Sequence, residues 1–193
     1  MSTDQLIFVR HGETDWNRVL RLQGHTDTPL NAIGRRQAAR NGRALAGILA
    51  GREMRCLCSP LSRARETADI VVASAGRSDI AVETDKRLME IAYGAWEGLT
   101  LPEVLVSDPQ GYKRREIEKW KFTPPSGESY EALAARVLEW HREVNGPLLV
   151  VAHGGILRVL LHLLAGWAVD EVPFLAIPQD RVYVFGTTHV LTL

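Results

Sequence analysis

Arg10, His11 and Gly12 stand together directly after an apolar run, in the stretch FVRHGETDWN from Phe8 to Asn17. An arginine fork binds two phosphoryl oxygens at once, and an imidazole with a free lone pair is a nucleophile. Three further stretches end apolar runs with groups of the same kind. Ser59 and Arg63 follow the run ending at Cys58, His153, Gly154 and Gly155 follow the run ending at Ala152, and RLMEIAYGAWEG offers Glu90 and Glu97. If these share one rim, they supply two arginines, two histidines, a carboxylate and the free backbone N–H groups of a helix start, and the anion they suit best is a phosphoryl group. On the residues alone, Glu90 and Glu97 are equivalent candidates for the acid.

Sharing a rim requires elements that bring distant residues together. Leu6 to Val9, Met54 to Cys58, Ile80 to Thr84 and Leu148 to Ala152 read as short strands, with Arg181 to Phe185 and His189 to Leu193 as two closing strands. Between them lie helical patterns: from an Asn31 cap to about Ala50, through LSRARETADIVVASAG with Ser59 and Pro60 as cap and first residue, from Ser129 through Val144, and along GILRVLLHLLAG. Strands alternating with helices predict one domain over residues 1–193. Its fold class is α/β, three-layered, with a mostly parallel sheet and helices on both faces. In such a sheet ligands bind beyond the carboxyl ends of the strands, where Arg10, His11, Arg63, His153 and Gly154 fall. The proline-bearing stretch from Leu99 to Gly127 reads as a short helical excursion on the surface. It carries Lys113, Arg114, Arg115, Lys119 and Lys121, which either face solvent or meet a second anionic group of the substrate.

The ordered blocks RHGETDWN, LQGHTDTPLNAIGRRQA, SPLSRARETA, LMEIAYGAWEG, PPSGES and VAHGG resemble those of the histidine phosphatase superfamily, the phosphoglycerate mutase-like fold, over nearly the whole chain. The resemblance implies that His11 is a nucleophile that becomes phosphohistidine. It further implies that Arg10, Arg63 and His153 bind the phosphoryl oxygens, that Asn17 completes the pocket, and that Glu90 is the general acid. Thr14 and Gln23 are further pocket candidates. An imidazole nucleophile needs its other nitrogen fixed by an acceptor, such as a backbone carbonyl near the glycine turn.

The family contains mutases and phosphatases. Family mutases resemble this chain but carry a longer insertion between the Glu90 block and the GES block. Here only residues 99 to 128 connect Gly98 to Ser129, a shorter cover that eases access of water, so a phosphomonoester hydrolase is expected and mutase-type phosphoryl transfer is the alternative. A phosphate-binding module without turnover would be expected to have lost its nucleophile or acid, and both are present. No cofactor is expected. Nor is a metal, because arginines beside a cation site would repel the ion. Cys56 and Cys58 do not have an arginine after five intervening residues, since Ser62 and Ala64 occupy those positions, which removes a cysteine phosphatase. No Gly-Lys pair and no GxSxG motif occurs. Lys plus Arg and Asp plus Glu both number 23, so no net field favours nucleic acid or an anionic membrane. The expected partner is a small phosphorylated metabolite. A soluble cytoplasmic protein is the default reading, and the sequence sets no oligomeric state.

Overall fold

The computed structural model describes residues 6–186 and 190–193. In chain order the elements are β1 (Leu6–Arg10), α1 (Asp15–Arg18), α2 (Ala32–Leu49), β2 (Arg55–Cys58), α3 (Ser62–Ser74), β3 (Val82–Thr84), α4 (Leu101–Ser107), α5 (Pro109–Ile117), α6 (Tyr130–Glu143), β4 (Leu148–Ala152), α7 (Gly154–Ala165), β5 (Val182–Phe185) and β6 (Val190–Thr192). The strands form one sheet in the order β3-β2-β4-β1-β5-β6. β3, β2, β4 and β1 run parallel, while β5 and β6 pair antiparallel at one edge.

Alternation along the strands produces the three layers. Leu6 and Phe8 of β1 pack with Leu133, Val137 and Trp140 of α6 and Ile156 and Leu160 of α7. Ile7 and Val9 pack on the opposite face with Ala38 and Leu45 of α2 and Ala68 and Val71 of α3. Both faces of the central strands are therefore covered, which is why β1 and β4 are apolar without interruption. Cys56 and Cys58 are buried in the α2–α3 layer and unpaired. Among the described residues, no helix is long and apolar enough to cross a membrane.

Several boundaries differ from the sequence reading. Helix α3 starts at Ser62, with Leu61 as its cap and no side-chain cap bond, rather than at Pro60. Proline biases the residue before it toward extended backbone, and the Ser59 hydroxyl accepts the Leu61 N–H at 3.3 Å, so this pair turns the chain before the helix begins. Strand β3 opens at Val82, because Ile80 is still held in a turn by its N–H to the Arg77 carbonyl. His189, read as opening the last strand, lies outside the described residues. The stretch from Leu99 to Gly127 holds two helices, and two of its four prolines, Pro102 and Pro109, lie in their first turns. Thr100 forms a capping box with Glu103 ahead of α4, and Asp108 caps α5, whose first residue is Pro109.

Candidate active site

The register of β1 against β4 pairs Arg10 with Ala152, so the residues that follow, His11 and His153, emerge side by side beyond the strand ends. Their ring centroids are 5.1 Å apart. The His11 N–H donates to the Ala152 carbonyl at 2.9 Å, extending the ladder by one residue. The chain can then leave the sheet only past the start of α2. A Cβ on Gly12 would lie 2.3 Å from the Gly34 carbonyl oxygen, and one on Gly34 would lie 2.2 Å from that of Glu13. Both positions need glycine because two backbones touch there. The Asn31 side chain accepts from the N–H groups of Ile33 and Gly34 and fixes this helix start. From α3, the Thr67 hydroxyl accepts the Gly12 N–H at 3.0 Å while donating to the Arg63 carbonyl at 2.7 Å.

The tautomer of His11 follows from one contact. Its Nδ1 lies 2.8 Å from the Gly12 carbonyl oxygen, which can only accept, so Nδ1 carries the proton and Nε2 keeps its lone pair. Burial, followed by the charges of Arg10 and Arg63, holds the His11 imidazolium pKa well below the usual histidine range, and the Gly12 bond opposes this only in part. His153 is shifted the same way, by burial and then by Arg63, His11 and Arg10. Burial lowers Arg10 to about 10, still charged at neutral pH, and also lowers Arg63.

The arginines are aimed by backbone carbonyls. Arg63 is fully buried and donates to Thr26 O at 2.9 Å and Gly24 O at 2.8 Å. Arg10 donates to Ile177 O. Their Nε atoms, together with both ring nitrogens of His153, are buried polar groups without a hydrogen-bond partner. Unpaired buried polar atoms are costly, and two guanidinium N–H donors with the one N–H of a neutral imidazole, gathered at one histidine pair, mark a site shaped for an oxygen-rich anion.

Arg10, His11, Asn17, Arg63, Glu90 and Gly154 line a cavity of about 510 Å³, whereas His153, fully buried against the His11 ring, lies behind that lining. The structure separates the two glutamates. The Glu90 carboxylate reaches into this cavity across the start of α7, accepting the Gly155 N–H at 3.0 Å and its neighbour Ile91 N–H at 2.9 Å. A Cβ on Gly155 would sit 2.3 Å from Glu90 Oε1, so glycine makes room for the acid. The backbone of Glu90 is pinned by Arg136, which donates to Met89 O at 2.8 Å and Glu90 O at 3.1 Å while paired with Glu128. His25 Nε2 donates to the same Glu90 carbonyl at 2.9 Å. Glu97 instead accepts from His25 N, Thr26 N, Thr26 Oγ1 and Tyr93 N, and so holds the loop whose carbonyls receive Arg63.

Asn17 Oδ1 is occupied by Thr14 N at 3.1 Å and Gln179 Nε2 at 2.9 Å, so its amide N–H groups are the ones left to the cavity. Gln23 also lines the cavity, while Thr14 is buried behind it and donates to Gln23 Oε1. The sequence reading missed Tyr93, Arg158 and Gln179, which line the same cavity. Arg158 donates twice to Leu175 O, at 2.9 and 2.7 Å, and to the Tyr130 hydroxyl at 3.2 Å. Its spacing of four from Gly154 put it on the same helix face, a signal present in the sequence. The cationic cluster of the excursion, by contrast, does not reach the cavity. Arg114 lies over the Phe122 ring, Arg115 pairs with Glu116, and Lys119 donates to Pro173 O at 2.7 Å over the Phe174 ring. From that segment Leu101 and Pro102 line the cavity.

The two thiols are excluded as nucleophiles by burial, which pushes Cys56 up to about 12 and Cys58 to about 11. Among the described residues there is no cluster of three or more His, Cys, Asp or Glu placed to hold a metal ion.

The profile of the histidine phosphatase superfamily (branch 1) matches residues 6–190. The chain belongs to the histidine phosphatase superfamily. As a histidine phosphatase it is an enzyme that hydrolyses phosphate monoesters. It is 35% identical over 188 residues to a glucosyl-3-phosphoglycerate phosphatase from Mycolicibacterium vanbaalenii, covering 91% of this chain and 80% of that one. It is 33% identical over 165 residues to phosphoglycerate mutase-like protein 4 of Arabidopsis thaliana, covering 81% and 69%. Among solved structures, Bacillus stearothermophilus YhfR superposes with a TM-score of 0.83 at 32% identity, covering 97% and 95%. A mycobacterial glucosyl-3-phosphoglycerate phosphatase in complex with VO3 superposes at 0.77 with 30% identity, covering 94% and 90%.

Proposed function

We propose that this histidine phosphatase works through a phosphohistidine on His11, with a small phosphorylated metabolite as substrate. The observation that carries this reading is the Nδ1 contact to the Gly12 carbonyl, which leaves Nε2 unprotonated in a cavity bordered by two guanidiniums. In the first step Nε2 attacks phosphorus and the ester P–O bond breaks. Arg10, Arg63, His153 and the amide of Asn17 hold the three non-bridging oxygens, where charge must be stabilised. Glu90 gives its proton to the departing oxygen. As a carboxylate it then takes a proton from water, whose oxygen attacks the phosphohistidine; the P–N bond breaks and inorganic phosphate leaves.

Water as the acceptor, rather than a second alcohol, is favoured by the cover of the cavity. Leu20 at its edge is 79% exposed, and the excursion contributes only the first residues of α4 to the wall. Alkaline quenching during turnover of an aryl phosphate should trap an acid-labile phosphoryl group on the wild-type protein and none on His11→Ala. Retention of most activity by His11→Ala would remove the covalent reading.

A further inference from the structure

Beyond the phosphate-binding groups, the cavity has a wall of different character. Leu22 N donates to Leu99 O at 2.9 Å and Gly98 N to Leu22 O at 2.8 Å, and Arg21 bridges to Thr100, so the segment after α1 is zipped to the segment entering α4. That pairing lines the cavity with Leu20, Leu22, Leu101 and Pro102. Leu20 is the most unusual of them. Its φ is 57°, in the left-handed region that leucine avoids, and its side chain is 79% exposed. That backbone closes α1, with the Leu20 and Arg21 N–H groups returning to Asn17 O at 3.1 Å and Trp16 O at 2.9 Å. The side chain it leaves at the cavity edge adds nothing to the core and is apolar surface that a substrate can cover.

The charges nearby are already committed. Arg21 donates to Gly98 O and forms a two-bond pair with Glu103, at 2.7 and 3.3 Å. Arg158 belongs to the phosphate end: the position of a Cβ on Gly154 is 3.4 Å from its Nη1 and 3.7 Å from Arg10 Nε, so it flanks that residue together with Arg10. Lys113, Arg114 and Arg115 are not among the residues lining this cavity. Along the wall of Leu20, Leu22, Leu101 and Pro102 a carboxylate or second phosphate would meet aliphatic side chains and one cation already paired with Glu103, and would be desolvated with little compensation.

We propose that the wall of Leu20, Leu22, Leu101 and Pro102 selects phosphomonoesters of apolar alcohols, aryl or branched alkyl, that carry no second charged group. The inference rests on the hydrolytic reading of the same site, and the substrates tested separate the two. For the wild-type protein kcat/KM should be at least tenfold higher on 3-methylbutyl phosphate than on glycerol 3-phosphate, both alkyl esters with similar leaving groups, with 3-phosphoglycerate poorest of the three. Covering one leucine side chain is worth roughly tenfold or more, so Leu20→Ser should lower the methylbutyl-to-glycerol ratio by about that factor. Leu101→Ser should act in the same direction, and Leu20→Met, which restores aliphatic surface, should keep the wild-type ratio. Because Leu20 is exposed, its replacement leaves the core intact. A wild-type preference for 3-phosphoglycerate, or a ratio unchanged within twofold in both serine variants, overturns the substrate class while leaving hydrolysis standing. Turnover of none of the three substrates overturns both.

Discussion

Replacing Glu97 with alanine tests whether the aim of Arg63 is set from outside the phosphate pocket. The carboxylate touches none of the groups assigned to the reaction, yet it accepts bonds of 2.9, 2.9, 2.6 and 3.2 Å from His25 N, Thr26 N, Thr26 Oγ1 and Tyr93 N. On the other side of the same loop, Gly24 O and Thr26 O receive the two terminal nitrogens of Arg63. A hydrogen bond to a charged acceptor is worth roughly 1.5–3 kcal/mol, but these donors sit in a partly exposed loop where water recovers much of that. Taking about 2–3 kcal/mol for the set, and noting that a displacement of about 1 Å in a positioning group can cost on the order of 100-fold, kcat/KM should fall roughly 30- to 100-fold. Inhibition by inorganic phosphate should weaken in parallel. Burial pushes the Glu97 carboxyl up, but the Thr26 hydroxyl and the three backbone N–H groups outweigh it and hold it below the ordinary glutamate value. Its contribution is thus complete above about pH 4.3 and is lost only as pH falls through the lower folded value, so the ratio of wild type to variant should be flat between pH 5 and 8. Glu97→Gln should not rescue, since its amide would present N–H groups to the Thr26 donors. The reasoning fails if Glu97→Ala lowers the melting temperature while kcat/KM and phosphate inhibition stay within threefold of wild type.

Two further outcomes follow from the site. Glu90→Gln should slow an alkyl phosphate at least 100-fold more than a nitrophenyl phosphate, whose anion departs without a proton; equal losses on both, measured by steady-state kinetics, would assign Glu90 a structural role. His11 and His153 are both held neutral by burial and by neighbouring arginines, so below about pH 6.5 the unfolded chain binds protons that the folded one refuses. The melting temperature should therefore be level from pH 7 to 8 and decline as pH drops below about 6.5 toward the depressed folded values, and His153→Asn should flatten that decline in thermal scans.

What the sequence discloses here depends on how local the cause is. Strands β1 and β4 were readable because burial on both faces leaves an uninterrupted apolar run, and the residues just beyond them were readable because a parallel sheet delivers its strand ends to one rim. The cap at Asn31 is a contact within three residues. The start of α3 was misplaced because Ser-Pro satisfies two rules at once, capping and turning, and the choice depends on the path of the chain leaving β2. Glu90 and Glu97 are seven residues apart in one loop, and nothing along that loop says which turns toward α7. The family resemblance selected Glu90 as the acid, and the geometry puts its carboxylate at the cavity. The cations at 113–115 could be read either as a solvated face or as substrate contacts: Arg115 pairs with its neighbour Glu116, but the ring over which Arg114 lies, Phe122, is brought to it only by the turn of the excursion back on itself.

The insertion of β4 between β1 and β2 has a consequence for biosynthesis. Residues 6–58 supply β1, β2 and the two helices between them, yet these two strands do not touch each other in the finished sheet, and the strand that joins them begins at Leu148. A ribosome must therefore run about 90 residues past Cys58 before the central parallel pairs can close, and until then both strands carry unpaired edges, the condition in which nascent chains stick to one another. The phosphate pocket inherits the same timing. His153 and the helix start beside it arrive with β4, so Arg10, His11 and Arg63 wait, unassembled, until the central strand slides in.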